Sequence, residues 1–106
     1  MTPQGIATGR RTTSSQSNQT VATTSNYFLS PAPTRVAVIV SAPATNRFTL
    51  SLAEPAVLDQ GITLYPGKNP LILTVEEHGD IVTKLWTAIG DTVSQTVEII
   101  EVFLRT

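Results

Sequence analysis

The stretch Arg35-Val36-Ala37-Val38-Ile39-Val40-Ser41 decides the fold class. Val36 to Val40 is apolar at every position and β-branched at Val36, Val38, Ile39 and Val40. Branching at Cβ favours extended backbone, and apolar side chains on both faces predict a central strand covered on both sides. On its N-terminal side, Ser30-Pro31-Ala32-Pro33 cannot continue a hydrogen-bonded ladder and closes a candidate first strand from Val21 to Leu29. On its C-terminal side, Ala42-Pro43-Ala44-Thr45-Asn46 breaks the run. Phe48, Leu50 and Leu52 then alternate with Thr49 and Ser51, the pattern of a strand buried on one face only.

The same rhythm continues to the C-terminus. Glu54 to Gly61 reads as a loop or short edge strand, Ile62-Thr63-Leu64 is extended, and Pro66-Gly67 fits the centre of a type II turn. Leu71 to Val75 is followed by Glu77-His78-Gly79-Asp80, read as a hairpin turn. Ile81 to Ile89 reads as a strand with Val82, Trp86 and Ala88 on its inner face, Gly90-Asp91 as a turn, and Val97 to Leu104 as the last strand. Val93, Val97, Ile100 and Leu104 also stand at helical spacing, but the β-branched Val97, Ile99, Ile100 and Val102 favour strand. Short strands at regular spacing predict an all-β fold, a small antiparallel β-sandwich or jelly-roll-like domain.

Residues 1–19 are of another kind. Met1 and Ile6 are their only large apolar side chains, and Thr12 to Thr20 is wholly polar. Such a segment buries too little apolar surface to offset its ordering entropy. The expected organisation is a flexible Ser/Thr-rich arm over 1–19 and a β-sandwich domain over 20–106. A domain of about 80 residues folds alone only marginally, so oligomerisation or docking on a larger body is expected to supply the rest.

Composition narrows the function. Of the 106 residues only 14% are charged, against roughly 25% in typical soluble domains. So lightly charged a surface is expected to face something other than water. With no cysteine, disulfide frameworks and thiolate metal sites are excluded. Met1-Thr2-Pro3-Gln4-Gly5 has neither the charged nor the apolar region of a signal peptide, and no apolar run approaches the roughly 18 residues of a membrane helix. Asn18-Gln19-Thr20, a glycosylation sequon by pattern, is read as part of the polar arm. The net charge of −1 hides a segregation: residues 1–53 carry Arg10, Arg11, Arg35 and Arg47 and no acid, while all eight acids follow. Four arginines are too few to track phosphates, so no direct nucleic-acid partner is expected.

No motif carries chemistry. Glu76-Glu77-His78-Gly79-Asp80 offers carboxylates beside an imidazole, but metal sites gather ligands from distant strands, and a solvated turn accounts for these residues. With a single histidine and no Gly-rich phosphate loop, neither a triad nor nucleotide chemistry is expected. The chain is read as a non-enzyme without cofactor, metal or small-molecule substrate, and with no membrane partner.

The order of strands and turns resembles a known group. Pro33 to Val40, the strand from Phe48, Gly61-Ile62-Thr63-Leu64, Pro66-Gly67, Leu71 to Val75, His78-Gly79-Asp80-Ile81-Val82, Trp86-Thr87-Ala88-Ile89 and the strand from Val97 to Val102 are similar to small β-sandwich virion proteins of tailed bacteriophages. The resemblance covers roughly residues 20–104. It implies a virion location, after synthesis in the host cytoplasm, and a structural role as a capsid decoration (cement) or minor head protein. The implied partners are the major capsid protein or other virion proteins, with further copies of the chain. The long polar arm departs from the pattern and leaves the bound surface open. The alternative reading is a carbohydrate- or receptor-binding module of a head or tail fibre, for which Tyr65 beside the turn is a start, or a head–tail connector component.

Four residues are candidate partner contacts. Arg10 and Arg11 sit together in a segment with no acid and can bind carboxylates of a neighbour bidentately. Tyr27 and Phe28 belong to Tyr27-Phe28-Leu29, three large side chains of which at least one must face outward on a strand.

Overall fold

A computed structural model of the chain describes residues 12–104. Its elements run β1 (Thr12–Val21), β2 (Asn26–Leu29), β3 (Arg35–Val40), β4 (Phe48–Ser51), β5 (Ile62–Leu64), β6 (Leu71–Thr74), α1 (Val75–His78), a 3-10 turn (Gly79–Thr83), β7 (Trp86–Gly90) and β8 (Gln95–Leu104). They form two four-stranded antiparallel sheets, ordered β1-β8-β3-β6 and β2-β7-β4-β5, packed as a sandwich. Consecutive strands alternate between the sheets except β4 and β5, which pair as a hairpin, the strand order of a jelly roll. The predicted fold class holds.

The core lies between the sheets. Val38 and Val40 on β3, Val97 and Ile99 on β8, and Leu73 on β6 meet Phe28, Phe48, Leu50, Trp86 and Ala88 of the other sheet. Phe28 and Phe48 approach with ring centroids 6.1 Å apart and a tilt of 41°, within the range favoured by aromatic quadrupoles. β3 lies between β8 and β6 and is buried at every position but Ile39, as its unbroken apolar run requires.

Arg35 is the exception among those side chains. It is charged, yet only 1% exposed. Its Nε donates to the Val82 carbonyl at 2.7 Å and Nη2 to the Lys84 carbonyl at 2.8 Å. Its Nη1 donates to the Ser30 carbonyl at 2.9 Å and to Glu101 at 2.8 Å. One guanidinium thus ties the segment after β2, the 3-10 turn and β8 together at one end of the sandwich. Counted from sequence as one of the basic half's charges, it is an internal anchor.

Five other expectations are corrected. Residues 12–19, assigned to a flexible arm, belong to β1, whose ten residues pair without interruption with Gln95–Leu104 of β8. Serine and threonine tolerate extended backbone, and the ladder supplies hydrogen bonds that apolar burial does not; Thr13 to Asn18 remain exposed. Val21 to Leu29 is not one strand: the chain breaks at residues 22–25 and changes sheets, leaving Val21 and Phe28 in one core from opposite sides. The turn expected at Glu77–Asp80 is helical, because the Thr74 hydroxyl accepts from the Glu77 amide at 3.2 Å and caps α1. The strand expected from Ile81 begins only at Trp86, the 3-10 turn taking Gly79–Thr83.

The fifth correction concerns β4, which is buried on both faces rather than one. The loop over 52–61 folds back across the outer side of its sheet and is fastened by hydroxyls. Thr87 Oγ1 donates to the Ala53 carbonyl at 2.6 Å, and the Asp59 amide donates to Thr49 Oγ1 at 2.9 Å. The Ala56 amide donates to Ser25 Oγ at 2.7 Å. Thr49 and Ser51, polar and alternating, are therefore covered by the chain's own loop. At Gly61 φ is 153°, and a Cβ there would overlap the Leu50 carbonyl oxygen, so only glycine lets the loop rejoin the sheet.

Arg47 latches this loop. Its Nε and Nη2 each reach an Asp59 oxygen at 2.9 Å, and its Nη1 reaches Asp91 at 2.6 Å. The hydrogen bond from Arg47 holds the Asp59 carboxyl below its usual pKa. A carboxyl depressed in the folded state stabilises it above the unfolded value, about 3.9, and loses that contribution as pH falls through the folded value. The stability gap between wild type and Asp59→Asn, read by chemical denaturation, is therefore expected to be constant above about pH 5 and to close below about pH 4. A gap independent of pH would dismiss the latch.

Candidate functional site

The two sheets treat their outer faces differently. The β2-β7-β4-β5 sheet is roofed by the 52–61 loop, whereas the other sheet leaves an apolar row open. The register places Ile72 opposite Ile39, Ile39 opposite Ile100, and Ile100 opposite Gln16, so four strands contribute one row across the face. Inner positions of β3 and β8 are identified by Val38, Val40, Val97 and Ile99 in the core. Side chains alternate along a strand, so Ile39 and Ile100 must point outward. Ile72 is 53% exposed. In the neighbouring row, between Ser14 on β1 and Thr74 on β6, Val102 is half-buried and Ala37 is buried.

Beside the strip lies a hollow of about 530 Å³ lined by Gln16, Asn18, Glu98, Ile100, Ile39 and Pro70, among others. Its polar margin is fixed. The Ser41 amide donates to the Glu98 carbonyl at 3.0 Å, and the Glu98 amide to Ser41 Oγ at 3.1 Å. An apolar centre bordered by amides, hydroxyls and one carboxylate is the make-up of a protein-binding patch. Among the described residues no group of three or more His, Cys, Asp or Glu could hold a metal ion. No helix there is long and apolar enough to cross a membrane. His78 Nδ1 accepts from the Thr74 amide at 3.1 Å and closes α1.

The candidate contacts from sequence fall elsewhere. Tyr27 is 65% exposed. It lies on the opposite sheet beside Glu54, whose hydrogen bond raises the phenol's pKa. Phe28 is 1% exposed and packs in the core, so it is no contact; alternation along β2 turns Tyr27 out and Phe28 in. Arg10 and Arg11 lie outside the described residues. The structure thus does not join the two described candidates, Tyr27 and Phe28, into one site. Sequence reasoning missed the isoleucine row, although its signal was visible: Val36 to Val40 is apolar on both faces, while a sandwich needs only one.

Searched against known proteins, the chain matches no family model, no curated protein and no solved structure.

Proposed function

We propose that the chain is a structural virion protein of a tailed bacteriophage, a decoration or cement protein whose jelly roll docks on the capsid shell through the open isoleucine face. The single observation that carries the reading is the outward apolar row of exposed Ile72 and half-buried Ile39 and Ile100 beside a polar strand. A domain that roofs one sheet with its own loop and leaves this row open has a surface suited to another protein. The low charged fraction of 14% agrees, and the likeness of residues 20–104 to phage virion proteins supplies the kind of partner. Jelly rolls occur in viral capsid and lectin domains, an analogy of fold that supports the reading without deciding it.

Purified chain added to shells that lack it is expected to bind saturably. Ile72→Asp places a charge at the β6 end of the row, on its most exposed side chain, and is expected to weaken uptake at least tenfold, about 1.4 kcal/mol, with an unchanged melting temperature. Val93→Asp, at an exposed position outside the row, serves as control and is expected to bind normally. Uptake of Ile72→Asp equal to wild type would remove the face from the account. Glycan binding that depends on Tyr65, with no uptake by shells, would replace the reading by the receptor-binding one.

A further inference from the structure

Among the described residues no strand pairs with the outer edge of β1, and both its faces are exposed from Thr13 to Asn18. Leu104 donates its amide to the Thr34 carbonyl at 2.8 Å, and the Glu98 carbonyl accepts from Ser41. The even-numbered residues of β8 therefore turn their main-chain groups towards β3. Peptide direction alternates along a strand, so the odd-numbered residues of β8 serve β1. They stand opposite Thr13, Ser15, Ser17 and Gln19. The N–H and C=O groups of Ser14, Gln16 and Asn18 are left pointing away from the sheet. The next outward carbonyls are satisfied: Thr20 accepts from Asn26 Nδ2 at 3.1 Å, and Ala22 from the Gly90 amide at 2.7 Å. The open stretch is Thr12 to Asn18.

Natural sheets blunt such edges with lysine, proline, bulges or short strands. None of these devices is present here. Thr12 to Thr20 has no charge, no proline and no glycine, and its register with β8 has no shift. The strand is ten residues long, while β2 and β6 have four each and β5 three. Exposed on both faces from Thr13 to Asn18, it is held along that stretch, among the described residues, by one ladder alone.

We infer that this edge pairs, antiparallel and about a two-fold axis at Gln16, with β1 of a second copy of the chain. The register follows from the free groups. Gln16 facing Gln16 of the second copy sets Ser14 against Asn18 on either side, and every outward peptide group of these residues finds its partner, two N–H···O bonds to each opposed pair. The arrangement is isologous, so it closes at two copies instead of running into a fibre. An uncharged strand meets its own copy without like-charge repulsion, and hydroxyl and amide side chains can hydrogen-bond across the seam. A strand seam alone falls short of the roughly 1,200–2,000 Å² of stable interfaces, so association is concentration-dependent.

Sedimentation of the full chain over a series reaching millimolar concentration tests this. Wild type is expected to shift from monomer to dimer. Gln16→Lys and Gln16→Glu each set like charges face to face at the axis and are expected to weaken association at least tenfold with unchanged melting temperatures. Mixed in equal amounts, the two variants are expected to dimerise with one another at least as well as wild type. A wild-type chain that stays monomeric through the series overturns the proposal, as does an unimpaired Gln16→Lys or a mixture no tighter than either variant alone. The measurement uses no shells, so its failure and that of the docking reading are separate results.

Discussion

Arg35→Ala is expected to destabilise the domain by roughly 3–5 kcal/mol, the range for breaking a buried ion pair by removing one partner. The substitution strands the carbonyls of Ser30, Val82 and Lys84, all hydrogen-bonded to the guanidinium, along with the Glu101 carboxylate. Each buried acceptor left unsatisfied carries a desolvation penalty. A domain of this size has about 5–15 kcal/mol in total, so the loss threatens folding outright. The ranking of variants identifies the cause. Glu101→Gln keeps the three carbonyl contacts and is expected to lose least. Arg35→Lys, a point charge without the planar fork, is expected to fall between. Denaturant midpoints at constant slope measure all three. Equal losses for Glu101→Gln and Arg35→Ala would mean that the ion pair, not the carbonyl anchor, holds that end of the sandwich.

Trp86→Ala is expected to cost about 3–5 kcal/mol, as large aromatic truncations in cores do. The ring is 3% exposed. It belongs to the cluster between the sheets, and its Nε1 donates to the Ile81 carbonyl at 3.1 Å. Trp86→Phe keeps most of the packing but loses that donor, so its cost should be smaller and should include the freed carbonyl of the 3-10 turn. Because the two anchors hold the same turn, Arg35 through Val82 and Trp86 through Ile81, their effects are expected not to add. A soluble, cooperatively unfolding Trp86→Ala chain of near wild-type stability would contradict the core assignment.

The sandwich was legible because its signals are local. β3 is an unbroken apolar, mostly β-branched run between prolines, Phe48 and Leu50 alternate as an inner face must, and Trp86 falls in step with Ala88. What escaped depends on partners far along the chain. Thr12 to Asn18 gives no apolar sign of a strand, because its order comes from a ladder with β8 eighty or more residues away. Thr49 and Ser51 read as solvent-facing because no pattern announces that the 52–61 loop will roof them. Arg35 looks like any surface arginine until the 3-10 turn arrives to receive it. α1 could have been found: Thr74-Val75-Glu76-Glu77 carries the Ser/Thr-x-x-Glu signature of a capped helix start.

The candidate site was less legible than the fold. Sequence favoured Tyr27 and Phe28 for their size, and alternation then sent one out and the other into the core. The open face is built from Ile39, Ile72 and Ile100, which lie on three strands and become a row only through register. Each isoleucine taken singly is an ordinary strand residue.

The central claim is that this chain is a structural part of a particle and binds its shell. Quantitative mass spectrometry of purified virions, with the chain measured against the major capsid protein, tests it most directly. The expected result is a copy number in the range of the shell subunit's own, falling sharply in virions that carry Ile72→Asp. Virions without the chain, in a host that makes it abundantly, would contradict the account.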